Sequence, residues 1–405
     1  MNLKLILFFR GNMKKSKYIF YTLIIIVLIL SMHGCNTSKI YVNVNQNSSE
    51  YVFNEDSQNF LDTYSKMVKV DNGYYFINNN HLYFLDGKSY NTTLACNKIN
   101  CKHNDDGCTA FFSILNFYPL QLAYYNNALY VIGWKTEGAN IHHNYVYQIS
   151  LDNFKRKKSA FLYNGSGMDS IIFVIHRGYI YFTYGNSSMK ESTMVLYRTK
   201  LGNTKKNASE EIFNFTAIGS DIFNLNAYGN QVFFTTASYH DENGNGYNTS
   251  LNSIDIHTLE TKMIIKNNLY SYFVDKEFVY YEKDQNTVNK IKLNTNDETF
   301  FCKVDGPAYI SADDNYIYFD NLQSIIIGKT DEKDRRIFVY DKSGKYITEI
   351  IPKNPKDDCY FGGDDIMIFK EKIEVETTES NGENGYYLLD KSQLSSSNKQ
   401  FIDME

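Results

Sequence analysis

The amino-acid sequence predicts an all-β fold, a β-propeller of seven blades, and three observations carry that prediction. A phrase recurs along the chain: a turn, an aromatic-rich strand, then a hairpin closing on a second strand that ends near Asp. Anchored at Gly73, Asn127, Gly178, Gly229, Glu277, Asn315 and Asp365, the copies are spaced by 54, 51, 51, 48, 38 and 50 residues. A period near fifty built of short strands means one blade per copy. Residues 70–400 also divide into seven portions of about 47 residues, an ordinary blade length. The uneven spacing leaves six and eight blades open as neighbouring counts.

Residues 1–34 read as a targeting segment. Lys14, Lys15 and Lys17 precede the apolar run Ile19–Leu30, whose 12 residues suit a signal peptide and fall short of the roughly 20 that span a bilayer. The run ends in Ser31–Cys35, SMHGC, the layout of a bacterial lipoprotein signal in which Cys35 becomes the lipidated N-terminus. Met32 and His33 depart from the aliphatic and small residues usual there. An uncleaved anchor or an ordinary secretory peptide is the alternative. Met13 opens a complete signal by itself, so it is a second candidate start. Residues 35–55 are expected to form the lipidated Cys and a polar tether, and residues 56–405 the propeller domain.

Along the tether, Ile40–Val44 alternates like a strand that could pair with the last blade and close the ring. Residues 56–68 place Phe60, Leu61, Tyr64 and Val68 on one helical face behind a cap at Asp56 or Ser57, which predicts the chain's one helix. From Lys69 onward the YYF and IYF trios, bounded by Asn-Gly, Asp-Asn and Gly-Asn turns, predict strands. The fifth copy is short, and the second and fourth carry longer hairpin insertions. With 35 Tyr and a single Trp, Trp134, the aromatic excess suits half-buried sheet surfaces.

Removal of residues 1–34 takes away five cations and no acid, leaving 36 Lys and Arg against 46 Asp and Glu. An acidic surface argues against a nucleic-acid partner, which calls for a basic stripe.

The sharpest local feature is Cys96-x4-Cys101-x-His103-x4-Cys108. Three thiolates and an imidazole are the donors of a structural zinc site, although the spacing differs from finger and knuckle patterns. Oxidation is the alternative, with Cys302 and Cys359 pairing with each other or with the cluster. Once Cys35 is lipidated five cysteines remain, and an odd number cannot pair completely.

The run Leu94–Phe112, LACNKINCKHNDDGCTAFF, placed after a first NGYYF…LYFLD repeat, resembles uncharacterised propeller lipoproteins of anaerobic Gram-positive bacteria. The repeats are similar to domain-of-unknown-function propellers related to the YWTD and TolB types. The resemblance implies a propeller attached to the outer face of the cell membrane, and it brings no established activity.

Other constellations are weaker. Asp241–Gly246, DENGNG, matches half of a calcium loop, but its twelfth position is Asn252 where a bidentate Glu is needed. His142 and His143 read as an exposed loop pair in the second blade's insertion, and Asp364 and Asp365 as turn formers. Common nucleophile, zinc-protease, P-loop and dinucleotide motifs are absent. The chain therefore reads as a membrane-tethered extracellular binding module for a protein or glycan ligand. The rivals are an envelope hydrolase acting on glycan or peptide, and a structural scaffold.

Overall fold

The structure is a computed structural model. It describes residues 66–404, apart from 114–116, 138–140, 166–171, 186–189, 267–268, 270, 276–277, 285, 327, 361–362, 364 and 372–384. The targeting segment, Cys35, the tether and the Ile40–Val44 pattern lie outside the described residues. So does most of the helix expected over 56–68. Its end is corrected, because Met67 and Val68 open a strand instead.

Seven four-stranded antiparallel sheets are described. Blade 1 holds β1 (Met67–Val70), β2 (Gly73–Asn78), β3 (His81–Asp86) and β4 (Thr92–Leu94). Blade 2 holds β5 (Tyr118–Tyr125), β6 (Ala128–Glu137), β7 (Ile141–Ser150) and β8 (Arg156–Gly165). In blade 3 are β9 (Phe173–His176), β10 (Tyr179–Gly185), β11 (Glu191–Lys200) and β12 (Glu210–Ile218). Blade 4 follows with β13 (Asp221–Tyr228), β14 (Gln231–Tyr239), β15 (Tyr247–Asp255) and β16 (Thr261–Ile265). The compact blade 5 comprises β17 (Tyr272–Asp275), β18 (Phe278–Asp284), β19 (Thr287–Lys292) and β20 (Glu298–Lys303). Blade 6 has β21 (Tyr309–Ala312), β22 (Tyr316–Asp320), β23 (Ile337–Asp341) and β24 (Tyr346–Ile350). Blade 7 ends the chain with β25 (Asp358–Tyr360), β26 (Ile366–Lys370), β27 (Tyr386–Asp390) and β28 (Phe401–Met404).

From β1 to β21, the first strands of successive blades lie beside one another, so they form the inner wall and the fourth strands the rim. The recurring aromatic trio sits on the second strand of a blade, with both faces covered by neighbouring sheets. Tyr74, Tyr130, Tyr181 and Tyr318 are among the fully buried side chains there, so the tyrosine excess is sheet packing.

Each described sheet consists of four consecutive strands, and none borrows a strand from the other end of the chain. Side chains hold the seam between blades 7 and 1. Met67, Tyr74, Phe76 and Leu85 share one core with Ile366, Ile368 and Leu388. The Phe76 and Tyr386 rings lie 5.2 Å apart. Polar contacts add direction: the Tyr74 hydroxyl donates to Asp365 and accepts from the Gly363 amide at 3.0 Å. Asp365 is therefore more than the turn former its position suggests.

Blade 6 departs from the repeat. Between β22 and β23 it carries a short helix, α1 (Leu322–Ile326), and a 3-10 turn, Glu332–Asp334. This excursion delivers Arg335, whose guanidinium donates twice to Asp320 at 2.7 Å with both side chains buried. Nearby, Lys391 of blade 7 reaches Asp313 of blade 6 at 2.6 Å, also fully buried, while Tyr318 donates to the same carboxylate oxygen at 2.5 Å. Burial raises the Asp313 carboxyl, but Lys391 and the Tyr318 hydroxyl outweigh it and hold it below the usual range.

Candidate metal centre

The Cys/His segment is an excursion of the outer strand of blade 1. β4 pairs with β3 through Leu94, opposite Tyr83. The chain then leaves the sheet and returns to it at Phe111, which bridges to His81, with the Leu82 amide donating to Ala110 at 2.8 Å. Between the two attachments the loop has little to pack. Its apolar Ile99 is 91% exposed, and Asn100 and His103 take left-handed φ of 57°. Residues 97–107 are mostly exposed, so burial does little to compensate the chain entropy lost in ordering them.

The loop turns its donors inward. Ligand atoms of Cys96, Cys101, His103 and Cys108 all lie within 4.8 Å of one another. A tetrahedral zinc with bonds near 2.3 Å to sulfur sets ligand edges of about 3.8 Å, so closing onto the ion asks for roughly an ångström of contraction. His103 Nδ1 already stands 3.2 Å from Cys108 Sγ. The donor set therefore fits zinc, and four protein ligands leave it no open position.

The thiols are electrostatically unequal. Burial raises Cys96, yet the Thr109 hydroxyl and the amides of Lys98 and Thr109 outweigh it and bring the thiol down to about 6. Burial pushes the less accessible Cys108 up to about 11, against the Ala110 amide, which donates to its sulfur at 3.3 Å. A thiol held neutral in this way is one that a bound cation would deprotonate.

The surroundings grip the loop from both blades. The His81 ring spans the carbonyls of Asn79 and His103, at 2.8 and 2.6 Å. From the first position of β8, Arg156 donates to Thr109 O at 2.6 Å and to Phe111 O at 2.5 Å, and its guanidinium lies 4.0 Å from the Phe112 ring centre. Ala95, Cys108, Ala110 and Phe112 enter the core shared by blades 1 and 2, with Cys96 and Cys101 packed against it. The centre thus sits at the rim, as a clasp across the first blade joint. His81 and Arg156 carry no motif and are read only from the fold.

The remaining candidates are not brought together. Cys302 lies in the core between blades 5 and 6 and Cys359 against the core between blades 6 and 7, and all five described cysteines are free thiols, so the Cys302–Cys359 pairing is not formed. At the calcium-like loop, Asp241 accepts from the amides of Asn243 and Asn245 at 2.9 and 3.1 Å. Asn252 is buried and donates to Thr236 at 3.0 Å, so the twelfth position of that loop faces the sheet. His142 and His143 belong to β7 rather than an exposed loop. His143 is buried, and the His142 ring meets Trp134 edge-on at 4.5 Å.

Fold and site together define a seven-bladed β-propeller with a Cys3His cluster that could hold a metal such as zinc. Among solved structures the chain is similar to the computationally designed Ika8 protein, at 9% identity and a TM-score of 0.47 over 87% of this chain and 88% of that one. It is also similar to the β-propeller domain of the Trilobed protease from Pyrococcus furiosus, at 12% identity and a TM-score of 0.43 over 72% and 86%. An oligogalacturonate lyase in complex with manganese gives 9% identity and a TM-score of 0.45 over 84% and 89%. Likeness at this level concerns the fold alone, and propellers serve as binding modules, lyases and peptidases alike. No protein-family model and no curated protein matches the sequence.

Proposed function

We propose that this protein is a binding module displayed on the outer face of the cell membrane, tethered by lipid on Cys35 and braced by a structural zinc ion at Cys96, Cys101, His103 and Cys108. The observation that carries the reading is the position and closure of the metal cluster. Its four donors converge at the rim of blades 1 and 2, away from the inner wall formed by the first strands. A four-ligand ion placed there stabilises a scaffold, because binding energy counts as folding energy where the loop has no order of its own.

The test is elemental analysis of protein purified without added zinc, with thiols counted before and after denaturation in chelator. Near-stoichiometric zinc, with three thiols released by chelation, is expected. A metal-free protein with a disulfide inside residues 96–108 overturns the structural-zinc reading. For the anchor, Cys35→Ala should release the protein from membranes or stall its processing. Unchanged membrane retention with normal trimming of the N-terminus removes lipid from the account.

A further inference from the structure

The three cysteines of the metal loop differ in what shields them. Cys108 is 2% exposed, its sulfur accepts from the Ala110 amide at 3.3 Å, and it belongs to the core shared by blades 1 and 2. Cys96 and Cys101 are half-buried and pack against that core. Their sulfurs lie within 4.8 Å of each other. A disulfide needs about 2 Å between sulfurs, a gap that side-chain rotation within an exposed loop can close. Two accessible sulfurs side by side are the arrangement in which oxidation of one is trapped by attack of the other.

The two halves of the loop are also held differently. On the return side, Arg156 donates to the Thr109 and Phe111 carbonyls, while Ala110 and Phe112 are buried. Those contacts involve backbone and side chains outside the four donors. On the outgoing side, residues 97–100, 102 and 104–107 are exposed. The Lys98 ammonium donates to the Gly107 carbonyl, the Gly107 amide donates to Asp105, and the His81 ring meets the His103 carbonyl. Order in this stretch therefore leans on ligand bonds at Cys96, Cys101 and His103.

We propose that the metal loop is a thiol switch, in which a peroxide joins Cys96 to Cys101 as a disulfide, the ion is released, and residues 97–107 open while Cys108–Phe112 stays docked. The inference rests on the structural-zinc reading and adds its regulation. One thiolate attacks the peroxide, breaking its oxygen–oxygen bond to give a sulfenic acid and hydroxide. The second thiolate attacks that sulfur, forming the disulfide and expelling a second hydroxide. The two sulfurs are oxidised, the peroxide is reduced, and two protons from solvent convert the hydroxides to water. His103 and Cys108 then remain, too few donors to fill a tetrahedral site. On the outer face of a membrane, the thiol buffers that keep cysteines reduced lie on the other side.

The experiment uses the mature protein, loaded with zinc and kept reduced under inert gas until hydrogen peroxide is added. Zinc release is followed with a chromogenic chelator, thiols are counted, and trypsin probes the exposed Lys98 and Lys102. Expected is one zinc released per peroxide consumed, with the five described thiols falling to three. Peptide mapping should find Cys96 joined to Cys101, and cleavage after Lys98 and Lys102 should rise about tenfold or more. Dithiothreitol followed by zinc should restore the resistant form. Zinc retained through several equivalents of peroxide overturns the switch and leaves the structural-zinc reading intact. So does a disulfide that includes Cys108, release that reductant cannot reverse, or release without a rise in cleavage. Protein that holds no zinc even when kept reduced throughout overturns both.

Discussion

At the scale of single residues, Glu282 is a buried carboxyl with little around it to compensate a charge. One oxygen accepts from the Ala308 amide at 3.3 Å, and the other, Oε1, has no hydrogen-bond partner. Burial lifts its carboxyl from an ordinary 4.5 to about 8. The native state therefore keeps a proton that the unfolded chain releases near pH 4.5. Its contribution is complete below that pH and is lost as pH rises through about 8. Glu282→Gln should flatten the decline of melting temperature between pH 5 and 8, an outcome that thermal unfolding across that range checks. An unchanged slope would place the titration elsewhere. Nothing in the sequence marks this residue. It ends a YYE run like many surface glutamates, and the Ala308 amide that meets its carboxyl comes only after the rest of blade 5.

At the scale of elements, the Cys/His loop depends on partners it does not contain. His81 fixes the carbonyl of His103, so the ligand is oriented from the strand beneath it. Loss of such an outer contact lowers metal affinity by about 10–100-fold in comparable sites, and His81→Ala should fall in that range by chelator competition. The joint between blades 6 and 7 depends on Lys391 and Asp313 in the same way. Lys391→Met would leave a buried carboxylate without its cation, at a cost of about 3–5 kcal/mol in denaturant unfolding. Adding Asp313→Asn should recover part of that loss, because the charge is then gone while an amide oxygen can still accept from the Asn315 and Tyr316 amides. The blade strands were legible in the sequence because turn chemistry and aromatic alternation are local. The four donors were legible because they lie within thirteen residues. The clasp by Arg156, the blade 6 excursion and the buried Lys391 were not, since each is defined by a residue on another blade.

At the scale of the whole molecule, the described residues hold the seam between blades 7 and 1 through side chains. Tyr74 both fills the seam core and links Gly363 to Asp365. Tyr74→Ala should therefore destabilise the protein by about 3–5 kcal/mol, as measured by chemical denaturation, with hydrogen exchange rising first in blades 1 and 7. Deletion of Lys276–Asn315 removes β18 to β21, one blade's worth of strands. The remaining blades would have to meet at new angles, with two sheet faces uncovered, so a cooperative unfolding transition should be lost. A truncated protein that still unfolds cooperatively would instead point to separable domains.

The self-contained blades have a further consequence for chain connectivity. Where a ring is locked by a strand from each terminus, the position of the ends is part of the lock. Here the described blades are contiguous, and a joint such as Val304–Ala308 needs only five residues to pass from a rim strand to the next inner strand. A linker of that size between Met404 and Met67, with new ends opened at exposed Asp305, would reproduce the same seven sheets in a rotated order. The order in which the blades leave the ribosome is thus separable from the order in which they stand around the ring.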